Sequence, residues 1–130
     1  MPIAYKPAGY TDTAVYLHNP QAQRVIDFAV AAFGAQPLRR YTQPDGSLMH
    51  AELRVGDTVV MLADAQPGQG YTAWLHVYLP DVDEAYQRAL AAGGLSVQAP
   101  VQHPGDPDRR GGVSDPAGNT WWLATQVSPG

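Results

Sequence analysis

Apolar residues recur at helical intervals in two stretches of the chain, and each stretch ends at glycine. The first stretch consists of Val25, Ile26, Ala29, Val30 and Phe33, ahead of Gly34. The second consists of Val82, Ala85, Tyr86, Ala89 and Leu90, ahead of Gly93 and Gly94. Spacings of three and four residues place such side chains on one helix face, and glycine commonly follows a helix end. The pattern predicts two amphipathic helices.

Polar residues ahead of each stretch indicate where the helices begin. Asn19 and Pro20 suit the capping position and the first helical position of the first helix. Asp81 and Glu84 have the spacing of a capping box at the start of the second helix, although such a box usually begins with Ser or Thr.

Strand-like segments surround the two helices in the same order. Val15-Tyr16-Leu17, ahead of the first helix, returns as Val77-Tyr78-Leu79 ahead of the second. Three further strand-like segments follow each helix, separated by turns, and a polar loop is expected from Gln102 to Asp108. Each half therefore has the order β, α, β, β, β. Chance similarity between two generic βα units is the alternative.

The repeat defines the predicted architecture. The half-repeats cover about 11–63 and 72–126, joined by a linker at about 64–71. A chain of 130 residues is long enough for one core and too short for two independent domains. We expect one α+β domain over residues 1–130, in which two tandem βαβββ half-repeats form a cupped mixed sheet with the helices on its outer face.

Alternation along the strands separates the side chains into two faces. The larger aliphatic residues, such as Leu75, Val77 and Leu79, are expected against the helices. The opposite face is aromatic and polar. Its main members are Tyr16, His50, Glu52, Met61, Trp74, His76, Tyr78 and Trp122, flanked by Ala14, His18, Arg54, Val59 and Thr120. A lining of flat rings with a few hydrogen-bonding groups is typical of a small-molecule pocket.

The charge of the chain narrows the range of partners. A net charge of −4 with only 8 Lys and Arg residues offers no basic face for nucleic acid or an anionic membrane surface. No apolar run approaches the roughly 20 residues of a spanning helix, and the first residues do not resemble a signal peptide. The absence of cysteine removes disulfides and thiolate chemistry. We expect a cytoplasmic protein with no nucleic-acid or membrane partner.

Four motifs accompany the tandem plan. They are Ala32-Phe33-Gly34-Ala35, His50-Ala51-Glu52-Leu53, His76-Val77-Tyr78-Leu79-Pro80-Asp81-Val82-Asp83 and Gly112-Val113-Ser114-Asp115-Pro116-Ala117-Gly118-Asn119-Thr120-Trp121-Trp122. Together they resemble the glyoxalase/bleomycin-resistance branch of the vicinal-oxygen-chelate superfamily. The resemblance covers nearly the whole chain after Gly9, and the ending Asp-Pro-x-Gly-Asn-x-Trp is its most specific part.

The resemblance also bears on metal binding. Metal-dependent members of that superfamily place a His, Glu or Gln ligand on the first and last strand of each half. The matching positions here are Ala14, Met61, Trp74 and Trp122. None of these side chains is a ligand for a transition metal, so the resemblance implies a member without a metal or other cofactor. A shift of two residues along the strands would bring in only one histidine, His76. A non-standard site from His18, His50, Glu52 and His76 is the alternative.

Without a metal, the resemblance implies a protein that binds and sequesters a small molecule, as bleomycin- and mitomycin-resistance proteins do, commonly as a homodimer with grooves shared between subunits. We expect an aromatic or amphipathic ligand, such as an antibiotic, between Trp74 and Trp122. The expected neighbours are Tyr16, His50, Glu52, Met61, His76 and Tyr78, with Arg110 from the predicted loop at the mouth of the cup. The alternatives are a metal-dependent glyoxalase- or dioxygenase-like enzyme with a non-standard His/Glu site, and a module whose cup is closed.

Two further assignments concern the pair His50 and Glu52, and Trp121. His50 and Glu52 have the spacing of a general acid/base pair, but the sequence indicates no nucleophile beside them, so hydrogen bonding inside the cup is their expected role. Trp121 is expected in the core, because it falls on the helix face of its strand.

Overall fold

The computed structural model describes residues 2–130 and contains two successive βαβββ units. The N-terminal unit has β1 (Val15–Asn19), α1 (Ala22–Phe33), β2 (Gln36–Thr42), β3 (Leu48–Val55) and β4 (Thr58–Asp64). The C-terminal unit has β5 (Trp74–Tyr78), α2 (Val82–Ala91), β6 (Leu95–Val101), β7 (Asp108–Ser114) and β8 (Thr120–Gln126). The predicted α+β class and the tandem βαβββ order are confirmed.

Each unit forms its own four-stranded mixed sheet. The strand order is β1-β4-β3-β2 in the N-terminal sheet and β5-β8-β7-β6 in the C-terminal sheet. In both sheets the first and last strands of the unit are parallel neighbours, and the other pairs are antiparallel. Tyr16 lies opposite Met61 in the N-terminal sheet, and His76 lies opposite Trp122 in the C-terminal sheet. The shared topology supports the internal repeat.

The helix-bearing faces of both sheets contribute to one apolar core. The two helices pack against each other. Trp121 on β8 lies against Phe28 and Phe33 of α1, with ring centroids 6.3 Å and 5.1 Å apart. Trp121 is buried, as predicted. A large core residue of the second unit therefore packs on the helix of the first. Neither helix within residues 2–130 is long and apolar enough to cross a membrane.

The start of α2 agrees with the sequence, whereas the start of α1 does not. Asp81 caps α2 by accepting the Glu84 N–H at 3.1 Å, as the capping-box spacing predicted. At α1, the Asp64 carboxylate at the end of β4 accepts the Ala22 N–H at 2.7 Å. The predicted Asn19 cap is wrong, because Asn19 ends β1 and its side chain points into the protein interior.

Asn19 instead joins the two units. Its side-chain oxygen accepts the Asn119 amide N–H at 3.0 Å, and its own amide donates to the Tyr71 carbonyl at 2.7 Å. The Asn119 oxygen also accepts the Ala73 N–H at 3.0 Å. Both asparagine side chains are buried. Buried amides require such partners, so this pair fixes the N-terminal sheet to the strand that opens the C-terminal unit.

The carboxylate of Asp115 holds the turn that carries Asn119. One oxygen accepts the backbone N–H groups of Ala117 and Asn119, at 2.8 Å and 3.1 Å. The other accepts the Asn119 amide and the Trp121 indole N–H, both at 2.9 Å. Asp115 is itself buried. The Asp-Pro-x-Gly-Asn-x-Trp segment is therefore a hydrogen-bonded unit that positions a core tryptophan.

The last hairpin begins earlier than the sequence indicated. The polar loop was predicted to reach Asp108, with Arg109 and Arg110 as loop residues, but β7 starts at Asp108 and includes both arginines. Each arginine pairs across the strand, Arg109 with Thr125 and Arg110 with Ala124. The extension is favoured by side-chain pairing, since Arg109 forms a two-bond ion pair with Asp83 of α2 at 2.9 Å.

Replacing Asp115 by alanine should destabilise the fold strongly. The change leaves the indole N–H of Trp121 and the amide of Asn119 without their acceptor inside the core, and each buried unpaired group costs about 1–3 kcal/mol. We expect the free energy of unfolding, measured by urea denaturation, to fall by about 3 kcal/mol or more. Asp45→Ala is the matched control, because the Asp45 carboxylate is exposed and bonds only Ser47 in the β2–β3 turn. Its effect should stay below about 1 kcal/mol, and equal effects of the two variants would contradict this role for Asp115.

Candidate functional site

Each sheet has one face that does not contact the helices, which we call its open face. On the open face of the N-terminal sheet, Tyr16, His50 and Glu52 form the tyrosine–histidine–glutamate cluster, with Met61 beside them across the strands. The Tyr16 hydroxyl lies 3.0 Å from His50 Nδ1, and His50 Nε2 lies 2.8 Å from a Glu52 carboxylate oxygen. The strand alternation predicted that these side chains share a face. It did not show that they form a continuous hydrogen-bonded chain.

Glu52 is the buried member of the tyrosine–histidine–glutamate cluster, with only 5% of its side chain exposed. Burial by itself would raise the pKa of its carboxyl group. Hydrogen bonds from Tyr10 and His50 and the positive charge of Arg39 outweigh that effect, so the pKa of Glu52 lies below its usual value. The group is therefore a carboxylate at neutral pH and can only accept hydrogen bonds.

Tyr10 belongs to the same site, and the sequence reasoning missed it. Its hydroxyl donates to Glu52, and its ring lies 5.4 Å from the Arg39 guanidinium and 5.9 Å from that of Arg54. Arg54 also donates to the Gly9 carbonyl at 2.6 Å. The segment before β1 thus crosses part of the open face. Tyr10 lies before β1 and outside the four motifs, so strand alternation gave no signal for it.

The open face of the C-terminal sheet carries the tryptophan cluster, which consists of Trp74, His76, Tyr78, Arg110 and Trp122. Trp74 and Trp122 meet edge to face with centroids 5.5 Å apart. Trp122 lies over Gly112 on β7, where an added Cβ would come within 2.7 Å of the indole ring. Trp74 remains 76% exposed. Glycine at position 112 therefore gives the Trp122 ring a flat support, and Trp74 stands beside it as an uncovered ring.

Polar groups of the tryptophan cluster form a second network. Arg110 donates to Asp106 at 2.7 Å and to Asp108 at 2.8 Å, and Tyr78 donates to the same Asp108 oxygen at 2.7 Å. Two carboxylates thus balance one guanidinium. The sequence placed Arg110 at the mouth of the cup to meet an anionic or carbonyl-rich ligand, but its charge is already matched within the chain.

His76 is the remaining polar member of the tryptophan cluster. Its ring packs on Tyr78 at a centroid distance of 4.8 Å, and its Nε2 accepts from Arg110 at 3.3 Å. Desolvation by neighbouring groups and the positive charge of Arg110 lower the pKa of His76. The imidazole is therefore neutral at pH 7 and extends the aromatic surface made by the two tryptophans.

The tyrosine–histidine–glutamate cluster and the tryptophan cluster lie on different sheets. Within residues 2–130, no hydrogen bond, ion pair or aromatic contact joins one cluster to the other. A groove of about 580 Å³ runs beside β5 between the two units, with Val15 and Val60 on one side and Trp74 and Tyr78 on the other. It contains no member of the tyrosine–histidine–glutamate cluster. One chain therefore brings the predicted residues together as two groups rather than one cup.

The described residues do not fit the metal site of the superfamily that the sequence resembles. By the motif resemblance, the matching positions are Ala14, Met61, Trp74 and Trp122, which supply methyl, thioether and indole groups and no donors for zinc, nickel or iron(II). Across residues 2–130 there is no group of three or more His, Asp or Glu side chains placed to hold an ion. The non-standard set also separates, since His50 and Glu52 lie on the N-terminal sheet and His76 on the C-terminal sheet.

Similar folds occur among solved structures. TioX from Micromonospora sp. ML1 matches 89% of this chain and 98% of its own, with a TM-score of 0.74 and 28% identity. A V278E mutant of glyoxalase I from Zea mays matches 89% of this chain and 44% of its own, with a TM-score of 0.72 and 20% identity. The fosfomycin resistance protein FosX from Mesorhizobium loti matches 92% of both chains, with a TM-score of 0.65 and 15% identity. The last two likenesses show a shared fold alone.

Sequence comparison defines the family. Uncharacterized proteins of Mycobacterium bovis and Mycobacterium tuberculosis are 39% identical to this chain over 118 residues, which is 82% of this chain and 77% and 69% of theirs. The pattern of the Glyoxalase/Bleomycin resistance protein/Dioxygenase superfamily matches residues 14–123, from the start of β1 into β8. Given this match and the tandem βαβββ fold, the chain belongs to the glyoxalase/bleomycin resistance protein/dioxygenase superfamily.

Proposed function

We propose that this protein is a metal-independent binding protein that sequesters an aromatic or amphipathic small molecule, in the manner of a resistance or self-protection protein. The pair formed by the exposed Trp74 and the half-buried Trp122, on the open face of the C-terminal sheet, carries the proposal. Single exposed rings are common on protein surfaces, whereas a contiguous aromatic patch, such as Trp74 with Trp122 and Tyr78, is typical of a site for a ligand or a partner. The neighbouring polar residues Arg110 and Tyr78 are hydrogen-bonded to Asp106 and Asp108. The aromatic rings are therefore the groups that this surface offers to a ligand.

The chemistry of the pair favours a flat ligand. Trp122 is fixed over Gly112, and Trp74 is tilted 66° to it, so the two rings form two walls of an angled slot. A well-placed aromatic contact adds about 0.5–1.5 kcal/mol beyond the area it buries, and each indole buries about 150–250 Å² when covered. Contact with both rings therefore favours the binding of a planar molecule.

We also propose that the protein acts as a homodimer. Tyr16 and Tyr78 on the two open faces are 39% and 62% exposed, and the two clusters lie apart within one chain. A second copy that placed its N-terminal sheet opposite the C-terminal sheet of the first would cover both faces. It would also bring one tyrosine–histidine–glutamate cluster to each tryptophan cluster. A two-fold axis would produce two such cups.

The comparisons support a resistance role at the level of the family. The superfamily description includes bleomycin resistance proteins, and one structure with the same fold is a fosfomycin resistance protein. The alternative is a metal-dependent glyoxalase- or dioxygenase-like enzyme, which would need ligands that the four matching positions do not supply.

Metal analysis separates the two functions. Protein purified without chelators and without a histidine tag should contain far less than one equivalent of zinc, nickel, iron, manganese or cobalt per chain by plasma mass spectrometry. The reason is the absence of donors at Ala14, Met61, Trp74 and Trp122. One equivalent per chain that survives dialysis would favour the enzyme and contradict the binding protein.

The binding role predicts the behaviour of Trp74→Ala. Since Trp74 is 76% exposed, its loss should change the free energy of unfolding by less than about 0.5 kcal/mol. The affinity for planar probes should fall about tenfold or more, because one wall of the slot is removed. Tryptophan fluorescence and calorimetric titrations with 9-aminoacridine, acridine and anilinonaphthalene sulfonate measure both the binding and its loss.

Tyr5→Ala is the matched control for this experiment. Tyr5 is an aromatic residue that is 85% exposed and lies outside both clusters, so its replacement should leave the affinities unchanged. Failure of every probe to give saturable quenching of the unmodified protein would argue for a closed cup. Equal losses in the two variants would show that the binding is non-specific.

The homodimer predicts a solution mass of twice the 14.0 kDa chain mass. Light scattering coupled to gel filtration at micromolar protein measures it. Tyr78→Glu places a charge on the exposed part of the C-terminal open face and should shift the protein toward the monomer, whereas Tyr5→Glu should not. A monomer at all concentrations would contradict the shared cup.

A further inference from the structure

The tyrosine–histidine–glutamate cluster has the geometry of an activated hydroxyl group. A carboxylate lies 2.8 Å from one imidazole nitrogen of His50, and the Tyr16 hydroxyl lies 3.0 Å from the other. We propose that Tyr16 is a nucleophile activated by His50 and Glu52, and that it accepts an acyl group from a small electrophilic molecule on the open face of the N-terminal sheet. A hydroxyl within 2.6–3.2 Å of a base, with the base oriented by a third group, is the general arrangement of an activated nucleophile.

The positions of the protons follow from Glu52. A carboxylate can only accept, so His50 Nε2 carries a hydrogen and donates a hydrogen bond to Glu52. In the tautomer with hydrogen on Nε2 alone, His50 Nδ1 holds a lone pair and accepts the hydrogen bond of the Tyr16 hydroxyl. Tyr10 and Arg39 hold the carboxylate from its other side. The hydrogen bonds therefore run in one direction, from the phenol through the imidazole to the buried carboxylate.

The proton at Tyr16 stays on the oxygen until reaction. Burial, followed by the nearby Tyr71 and Glu52, raises the pKa of the Tyr16 hydroxyl, so a free phenolate is not the resting form. His50 must take the proton as the new bond forms, which is the role of a general base. This distinguishes Tyr16 from a tyrosine whose hydroxyl has no imidazole beside it.

The proposed acyl transfer needs only the protein and the acyl donor. The Tyr16 Oη–acyl carbon bond forms, the bond between the acyl carbon and the leaving group breaks, and the leaving group departs with the electron pair. The phenolic proton moves to His50 Nδ1, and the resulting imidazolium is stabilised by the Glu52 carboxylate. The product is an O-acyl tyrosine, which retains an electrophilic compound by a covalent bond.

This inference goes beyond the proposed function and does not depend on it. The tryptophan pair lies on the C-terminal sheet, whereas the reactive hydroxyl lies on the N-terminal sheet. The acetylation test measures the rate at Tyr16 and the titration measures probe binding at the tryptophan pair, so each proposal has its own measurement. The two ideas can therefore fail separately.

The test is the rate of acetylation of individual tyrosines by N-acetylimidazole at pH 7.5, followed by tandem mass spectrometry of the digested protein. Tyr5 and Tyr41 are internal references, because at 85% and 46% they are more exposed than Tyr16 at 39%. Exposure alone would make Tyr16 the slowest of the three. We expect Tyr16 to react faster than both.

Variants of His50 and Glu52 test whether the tyrosine–histidine–glutamate cluster causes the fast acetylation of Tyr16. His50→Gln should lower the rate at Tyr16 about tenfold or more and leave Tyr5 unchanged, because the base is lost while a polar side chain remains. Glu52→Gln should also lower it, since a neutral amide does not stabilise the imidazolium, and it provides a second variant of nearly equal shape. His103→Gln changes an exposed loop histidine and should leave all rates unchanged.

Each outcome decides the proposal. A fast Tyr16 that slows in His50→Gln and in Glu52→Gln, with circular dichroism spectra like that of the unmodified protein, supports it. A Tyr16 rate at or below that of Tyr41 overturns it, and so does a fast Tyr16 whose rate is unchanged in both variants.

Discussion

The buried hydrogen bonds between Asn19 and Asn119 are the constraint on which the arrangement of the two units depends. Asn119 is held by the Asp115 carboxylate, and the same carboxylate holds the Trp121 indole against α1. One polar joint therefore sets both the contact between the units and the position of the largest core side chain. Because these amides have no access to water, separating the units would leave them unpaired, so the joint opposes any sliding of one unit against the other.

The joint also decides where the functional residues lie. The helices and the helix-bearing faces of both sheets are buried against one another in one core, so the open faces lie outside it. The charged groups on these faces are paired with neighbours within the chain, as Arg110 is with Asp106 and Asp108, and Glu52 with Tyr10 and His50. What each face offers to another molecule is therefore limited. The C-terminal face offers aromatic rings, and the N-terminal face offers one oriented hydroxyl.

This division has a physical consequence for a small-molecule site. Ring surfaces bind by contact area and tolerate variation in the ligand, whereas a hydroxyl held by an imidazole and a carboxylate requires defined geometry. By the motif resemblance, the positions that carry metal ligands in metal-dependent members of the superfamily correspond here to residues that include Met61, Trp74 and Trp122. Replacing a ligand by an indole removes coordination and adds an aromatic surface, so the change favours stacking.

The sequence by itself determined the two units, the helices and the sheet faces of Tyr16, Trp74, Tyr78, Trp121 and Trp122, because strand and helix periodicities are local properties of the chain. It placed Tyr16, His50 and Glu52 on one face but missed their order as a hydrogen-bonded chain, and it missed Tyr10 altogether. It assigned Asn19 to a helix cap and Arg110 to a loop. Tertiary structure decided those points, since Asn19 has its partner 100 residues away and the charge of Arg110 is matched by side chains whose positions depend on the β6–β7 hairpin. Contacts between distant segments leave no periodic signal, and so only the folded chain shows them.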